Sequence, residues 1–160
     1  MLLNSKRILI RCKSRTIYIM IDFTLTPAQQ RLQQGARVLA QAHLAGAFAN
    51  YNYLLTQRER FQTLRPIFRA AVSAGLIKGQ IPTGYGGGAG VLLDAAILVE
   101  ELCSVDPSGS LAILGVGLGF TPLILGGSDE QKKRLLAPFL SGEGEPLAAL
   151  AHSEPGGTAN

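Results

Sequence analysis

Cysteine is scarce in this chain, with only Cys12 and Cys103, far apart and in stretches of different composition. No disulfide framework can be built from them, and no C-x-x-C pair offers metal-ligand spacing. Histidine is equally sparse. His43 and His152 lie too far from each other and from either cysteine to suggest a metal, and they give no Ser-His-Asp order. Acidic residues are absent from positions 1 to 21, which hold Lys6, Arg7, Arg11, Lys13 and Arg15. The formal net charge of +4 therefore sits in that stretch, while the rest, with ten basic and eleven acidic residues, is close to neutral. A near-neutral body lacks the positive footprint of a phosphate-backbone binder, which excludes nucleic acid as a partner.

What is present is a chain of 160 residues with 47% apolar content, the composition of a globular protein. Residues 1–21, basic and acid-free with Ser5, Ser14 and Thr16, have the composition of a mitochondrial presequence. They lack the long apolar core and small-residue cleavage site of a secretory signal. The alternative is an upstream extension with no structural role, with Met20-Ile21-Asp22-Phe23 as a natural start. Unpaired cysteines point to a reducing compartment, cytoplasmic or mitochondrial.

Beyond residue 22 the pattern is helical. Thr26-Pro27 is a helix-start signal, and Leu32, Ala36, Leu39 and His43 form one amphipathic face of a helix expected to run to about Tyr53. Phe61, Leu64, Phe68 and Ala71 give a second stripe, with Gly75 at the C-cap. Val91 to Cys103 is apolar on nearly every face and is expected to be largely buried. Asp106-Pro107 opens an apolar tract interrupted by Gly115, Gly117, Gly119 and Pro122, expected to break and restart at Thr121-Pro122. Ser128 and Gln131 form a capping box for a last helix ending near Leu140. Pro146 to Ala151, after a polar turn, reads as a short buried strand. The fold class is thus all-α, a helical domain over 22–145, with the start of a β-domain at 146–160.

Three features invite a chemical reading. The glycine run Gly84 to Gly90 lacks G-x-G-x-x-G spacing, a following G-K-[ST] and a preceding strand, so it reads as a tight inter-helix connection with backbone near positive φ. The tract from Gly109 to Gly127 is about long enough to span a bilayer. Its glycines, its proline and the missing basic anchor at its N-terminal edge favour a buried helix, with no membrane partner. Glu100 and Glu101 are helix neighbours about 100° apart and do not converge on one substrate, which favours solvated or helix-pairing roles.

Several stretches in order resemble the N-terminal half of the acyl-CoA dehydrogenase superfamily. They are Asp22-Phe23-Thr24-Leu25-Thr26, Gly75-Leu76 through Pro82 and Tyr85-Gly86-Gly87, Glu100-Glu101-Leu102, Gln131-Lys132-Lys133 with Ser141-Gly142-Glu143, and Ser153-Glu154-Pro155-Gly156. Arg60-Phe61-Gln62, Arg65-Pro66, Ser141 through Ala148 and His152 through Pro155 with Gly157-Thr158-Ala159-Asn160 are similar to the nitroalkane oxidase group within it. Ordinary members end the last motif in G-S-D, where this sequence has Thr158-Ala159-Asn160.

The resemblance implies an FAD-dependent oxidoreductase that removes an acidic proton next to an activating group and passes electrons to the flavin. By position, Leu150, Ala151, His152 and Ser153 would line the isoalloxazine side, and Thr158, Ala159 and Asn160 would lie along the cofactor beyond the turn. The helix around Leu111 to Leu118 would help close the substrate pocket. The substrate would be a nitroalkane or an acyl-CoA thioester, and the assembly a homotetramer. The family places its catalytic carboxylate in a C-terminal helical domain, so no catalytic residue is assigned here, and the 160 residues alone are expected to be inactive. An ordinary acyl-CoA dehydrogenase and a non-catalytic helical remnant are the alternatives.

Overall fold

The computed structural model describes residues 23–151 in full and the backbone of 7–12 and 15–20. In the latter, β1 (Arg7–Cys12) pairs antiparallel with β2 (Arg15–Met20), Arg7 opposite Met20 and Cys12 opposite Arg15. The sequence reading placed no strand this early. Ile8, Ile10, Thr16, Ile17, Tyr18 and Ile19 are the β-branched and aromatic residues that favour such pairing.

The body is helical. Thr26 caps α1 (Pro27–His43): its hydroxyl accepts from Gln29 N–H, and the Gln29 side chain reaches back to Thr26 N–H at 3.0 Å. The helix does not continue to Tyr53. It ends at the cap residue Leu44, and Gly46, with φ of +79°, turns the chain into α2 (Ala47–Tyr51). The buried stripe runs through Ala36, Ala40 and Leu44, while His43, expected on that stripe, is exposed. Ala36, Ala40 and Leu44 are spaced four residues apart, so the inward line follows every fourth residue and His43 falls beside it.

A Thr56–Glu59 capping box opens α3 (Gln57–Ser73), which buries Leu64, Phe68 and Ala71 as the stripe predicted, together with Val72. Gly75, φ +78°, follows the cap residue Ala74. The glycine run forms a tight connection as expected. Gly86 has φ of +86°, Pro82 bridges Ala89, and a Cβ on Gly87 would lie 2.0 Å from the Ile81 carbonyl oxygen.

Asp94 marks the start of α4 (Leu92–Cys103), accepting Val91 N–H at 3.3 Å and the Gln29 side-chain N–H at 3.1 Å. The expectation that α4 is buried on most faces is corrected: Ile97, Glu101 and Leu102 are buried, whereas Leu92, Leu93 and Val99 are exposed. Only one face meets α1 and α5 (Pro107–Gly126).

Helix α5 is capped by Asp106, whose carboxylate accepts Gly109 N–H at 3.0 Å. It is continuous through Pro122, against the expected break. Proline removes one backbone donor, and Thr121 Oγ1 donates to the Gly117 carbonyl at 3.1 Å within the same turn. Its Ile113, Val116 and Phe120 join Phe68, Ala71, Ile77, Ile81 and Leu136 in the main core. At 20 residues and mean hydropathy 1.8, α5 also has the length and composition of a membrane span. Its inward side packs into the core, and its outer side carries exposed Leu111, Leu118 and Leu125. Ser128 and Gln131 box the start of α6 (Asp129–Leu136), and a 3₁₀ turn over Ala137–Phe139 follows.

The strand expected at 146–151 is not formed. That segment has no regular secondary structure and lies along α5, since a single strand without a neighbour has nothing to hydrogen-bond.

Candidate functional site

Where the terminal segment runs beside α5, an open groove of about 510 Å3 lies between α3, α5 and that segment. Phe61 comes from α3, Leu111, Gly115 and Leu118 from α5, and Leu147 and Leu150 from the segment. The local reasons differ for each wall. Phe61 lies on the edge of the α3 stripe and is half-buried. Leu111, Gly115 and Leu118 recur at helical spacing on the outer face of α5. Gly115 keeps the floor open, because a Cβ there would meet nothing within 4 Å.

Gly119 acts in the opposite way. A Cβ on it would come within 2.7 Å of Ala149 N and 2.8 Å of Ala148 Cβ, so the missing side chain lets the segment lie directly on the helix. Ala148 then packs on the main core. At the entrance of the segment, Glu145 is held by two arginines of α3. Arg65 Nε donates to Oε2 at 2.5 Å, and Arg69 Nη1 to Oε1 at 2.6 Å. The hydrogen bond from Arg65 is the main reason the Glu145 carboxyl titrates below the usual glutamate range, aided by the charge of both arginines.

The groove is lined by apolar side chains, with backbone as its polar component. Such a surface can hold an alkyl chain or the face of a flat ring, and it offers no side chain to move a proton. Among the described residues no group of three His, Cys, Asp or Glu side chains comes together for a metal.

Of the residues assigned from sequence, Leu150 lines this groove, and Ala151 is exposed next to it. His152, Ser153, Thr158, Ala159 and Asn160 lie outside the described residues. Glu101 is buried and paired with Arg37 across α1 and α4, the helix-pairing role expected of it, while Glu100 is exposed. Sequence reasoning assigned Phe61 to the core stripe and met Arg65 and Glu145 only as parts of family-like motifs, without bringing them or Arg69 together. The arginines are spaced i, i+4, which puts them on one helix face, but nothing local pairs them with a glutamate that lies beyond α4, α5 and α6.

These features coincide with a family model. The N-terminal domain of acyl-CoA dehydrogenases matches residues 26–143, and the chain belongs to that family. Within it, the chain is similar to nitroalkane oxidase. It is 45% identical to the enzyme of Fusarium oxysporum and 50% identical to that of Podospora anserina, over 141 residues in each case. The alignments take in 88% of this chain, which spans 32% and 33% of those enzymes. A solved structure of the flavoprotein nitroalkane oxidase superposes with a TM-score of 0.81 at 45% identity, covering 88% of this chain and 33% of that one. The chain therefore spans about a third of the length of these relatives.

Proposed function

We propose that this chain forms the N-terminal helical domain of an FAD-dependent oxidoreductase of the nitroalkane oxidase type. The observation that carries this is the agreement of 45–50% identity with a superposable fold across 88% of the chain. The apolar groove beside α5 supports the same reading, because an aliphatic nitro compound needs a dry, apolar wall for its chain.

FAD fits the described residues in part. The open apolar surface of Leu147 and Leu150 suits the face or edge of a flat ring, whereas hydrogen bonds to its polar atoms would come from Ser153, Thr158 and Asn160, with Ala151, His152 and Ala159 between. When bound, the flavin supplies the electron acceptor. This chain's own part is to bind the alkyl chain along Leu111, Gly115 and Leu118 and to shield the site from water. Thr158-Ala159-Asn160 in place of G-S-D favours a nitroalkane over an acyl-CoA thioester. The carboxylate that takes the proton would come from the part of the relatives' length that these residues do not span, and the homotetramer seen in the family would be built largely from that part too.

A chimera tests this directly. The 160 residues replace the equivalent region of the Podospora anserina enzyme, and peroxide release is followed with nitroethane and with an acyl-CoA. The expected result is a yellow protein that releases peroxide from nitroethane. A yellow, folded chimera that reduces its flavin with the thioester alone would sink the nitroalkane reading. The 160-residue chain by itself is expected to release no peroxide from nitroethane above background.

A further inference from the structure

We infer that Glu145 is a positioning residue: clamped by Arg65 and Arg69, it sets where the Leu147–Leu150 wall lies against α5 and hence the width of the groove. This rests on the reading of the groove as a binding site for an apolar chain.

Three independent features converge on the same six-residue segment. The first is the double ion pair, which fixes Glu145, the residue directly before the segment, to two positions one turn apart on α3, so that both translation and tilt are restrained. The second is the contact three and four residues after Glu145, where Ala148 and Ala149 lie against the bare backbone of Gly119. The third is the lack of any ladder or helical hydrogen bonding between residues 146 and 151. A segment without regular structure has no internal reason to hold one path, so its position is decided by its attachments. Glu145 is largely buried, while Arg65 and Arg69 are half-exposed, so the arginine side chains can be exchanged without opening the core. Pro146, directly after the clamp, stiffens the exit and transmits the clamp's position to Leu147.

The consequence is a division of labour. Gly115 sets the depth of the groove, and the clamp sets the distance of its outer wall. Loosening the clamp lets Leu147 and Leu150 leave the wall, and an apolar ligand then loses one side of its contact surface while the helices remain folded.

The test uses the 160-residue chain, isotope-labelled, with 1-nitrohexane as the probe. Two signals are read: the proton contact between Gly119 and the Ala148 methyl, and the shift of the Gly115 amide on titration. In Glu145→Gln the Gly119–Ala148 contact is expected to disappear and probe affinity to fall about fivefold, with helical circular dichroism unchanged. Arg69→Lys, which keeps a cation at the clamp, is expected to retain both signals, and Glu143→Gln, outside the clamp, to change neither. Gly119→Val pushes the segment away with the clamp intact and is expected to weaken the probe in the same way, which keeps the test open even if Glu145→Gln folds poorly. Retention of the contact and of full affinity in Glu145→Gln would overturn the inference. If the unaltered chain does not bind 1-nitrohexane but Glu145→Gln still loses the contact, the reading of the groove fails while the clamp survives only as a folding contact, and the inference falls with that reading.

Discussion

Arg37 and Glu101 meet as a two-point pair between α1 and α4: Nε donates to Oε2 at 2.9 Å, and Nη2 to Oε1 at 2.7 Å. The glutamate is 7% exposed and sits beside fully buried Leu102, while the arginine reaches it from solvent. The two partners therefore differ in what their loss leaves behind. Arg37→Met leaves a carboxylate in a buried position without its cation, whereas Glu101→Gln leaves an amide that still accepts from the guanidinium. Thermal melts are expected to show a drop of several degrees for Arg37→Met and a smaller one for Glu101→Gln. The reverse order would contradict the assignment of the burden to the carboxylate.

Stability is expected to fall in acid. The Arg37 hydrogen bond lowers the pKa of Glu101, the Arg65 hydrogen bond that of Glu145, and the Thr56 side chain and backbone that of Glu59. A carboxyl whose folded pKa is depressed contributes stability that is fully present above its unfolded pKa and is lost as pH falls through the folded value. Urea midpoints should hold from neutral pH down to the ordinary glutamate range and decline below about pH 4. Glu101→Gln should flatten that decline, and an unchanged slope would remove Glu101 from the account.

Tyr51 and Asp106 tie α2 to the start of α5. The tyrosine hydroxyl donates to Oδ1 at 2.8 Å, in a position that excludes solvent from both residues. Burial, with a lesser contribution from Asp106, holds the tyrosine pKa above its usual range. Tyr51→Phe removes a bond to a charged acceptor and is expected to cost about 2 kcal/mol in urea unfolding. Asp106→Ala should cost more, because the cap on Gly109 is lost as well.

Three glycines separate space from backbone conformation. Gly79 has neither a positive φ nor a neighbour within 4 Å of a built Cβ, so Gly79→Ala is expected to be neutral or slightly stabilising. Gly75 has the same open space but φ of +78°, and Gly75→Ala is expected to cost about 1 kcal/mol. In Gly87→Ala the new Cβ would collide with the Ile81 backbone, and the loop must move. Chemical denaturation of the three variants should rank them in that order.

Much of this was legible in the residues themselves. Start signals such as Thr26-Pro27 and the Ser128–Gln131 capping pair act within one turn, so sequence alone specifies where those helices begin. The stripe of Leu64, Phe68 and Ala71 likewise specifies which side of α3 faces inward, because helical spacing fixes the face before any partner is known. Family membership was legible through the order of several short motifs.

Tertiary structure alone decided the rest. Composition makes α4 look buried all round, but how many faces are covered depends on how many neighbours dock, and only one side of α4 is covered. The chain turns at Gly46, where one helix had been expected: Gly46 takes φ of +79°, and Leu44 and Ala47 on either side of it pack into separate buried clusters. Pro146 to Ala151 have the composition of a strand, yet a strand exists only with a hydrogen-bonded neighbour, and these residues are held instead by Glu145 and by the gap at Gly119. The groove follows from that arrangement. Its walls come from three segments distant in sequence, and its outer wall is set by an ion pair whose members no local pattern connects.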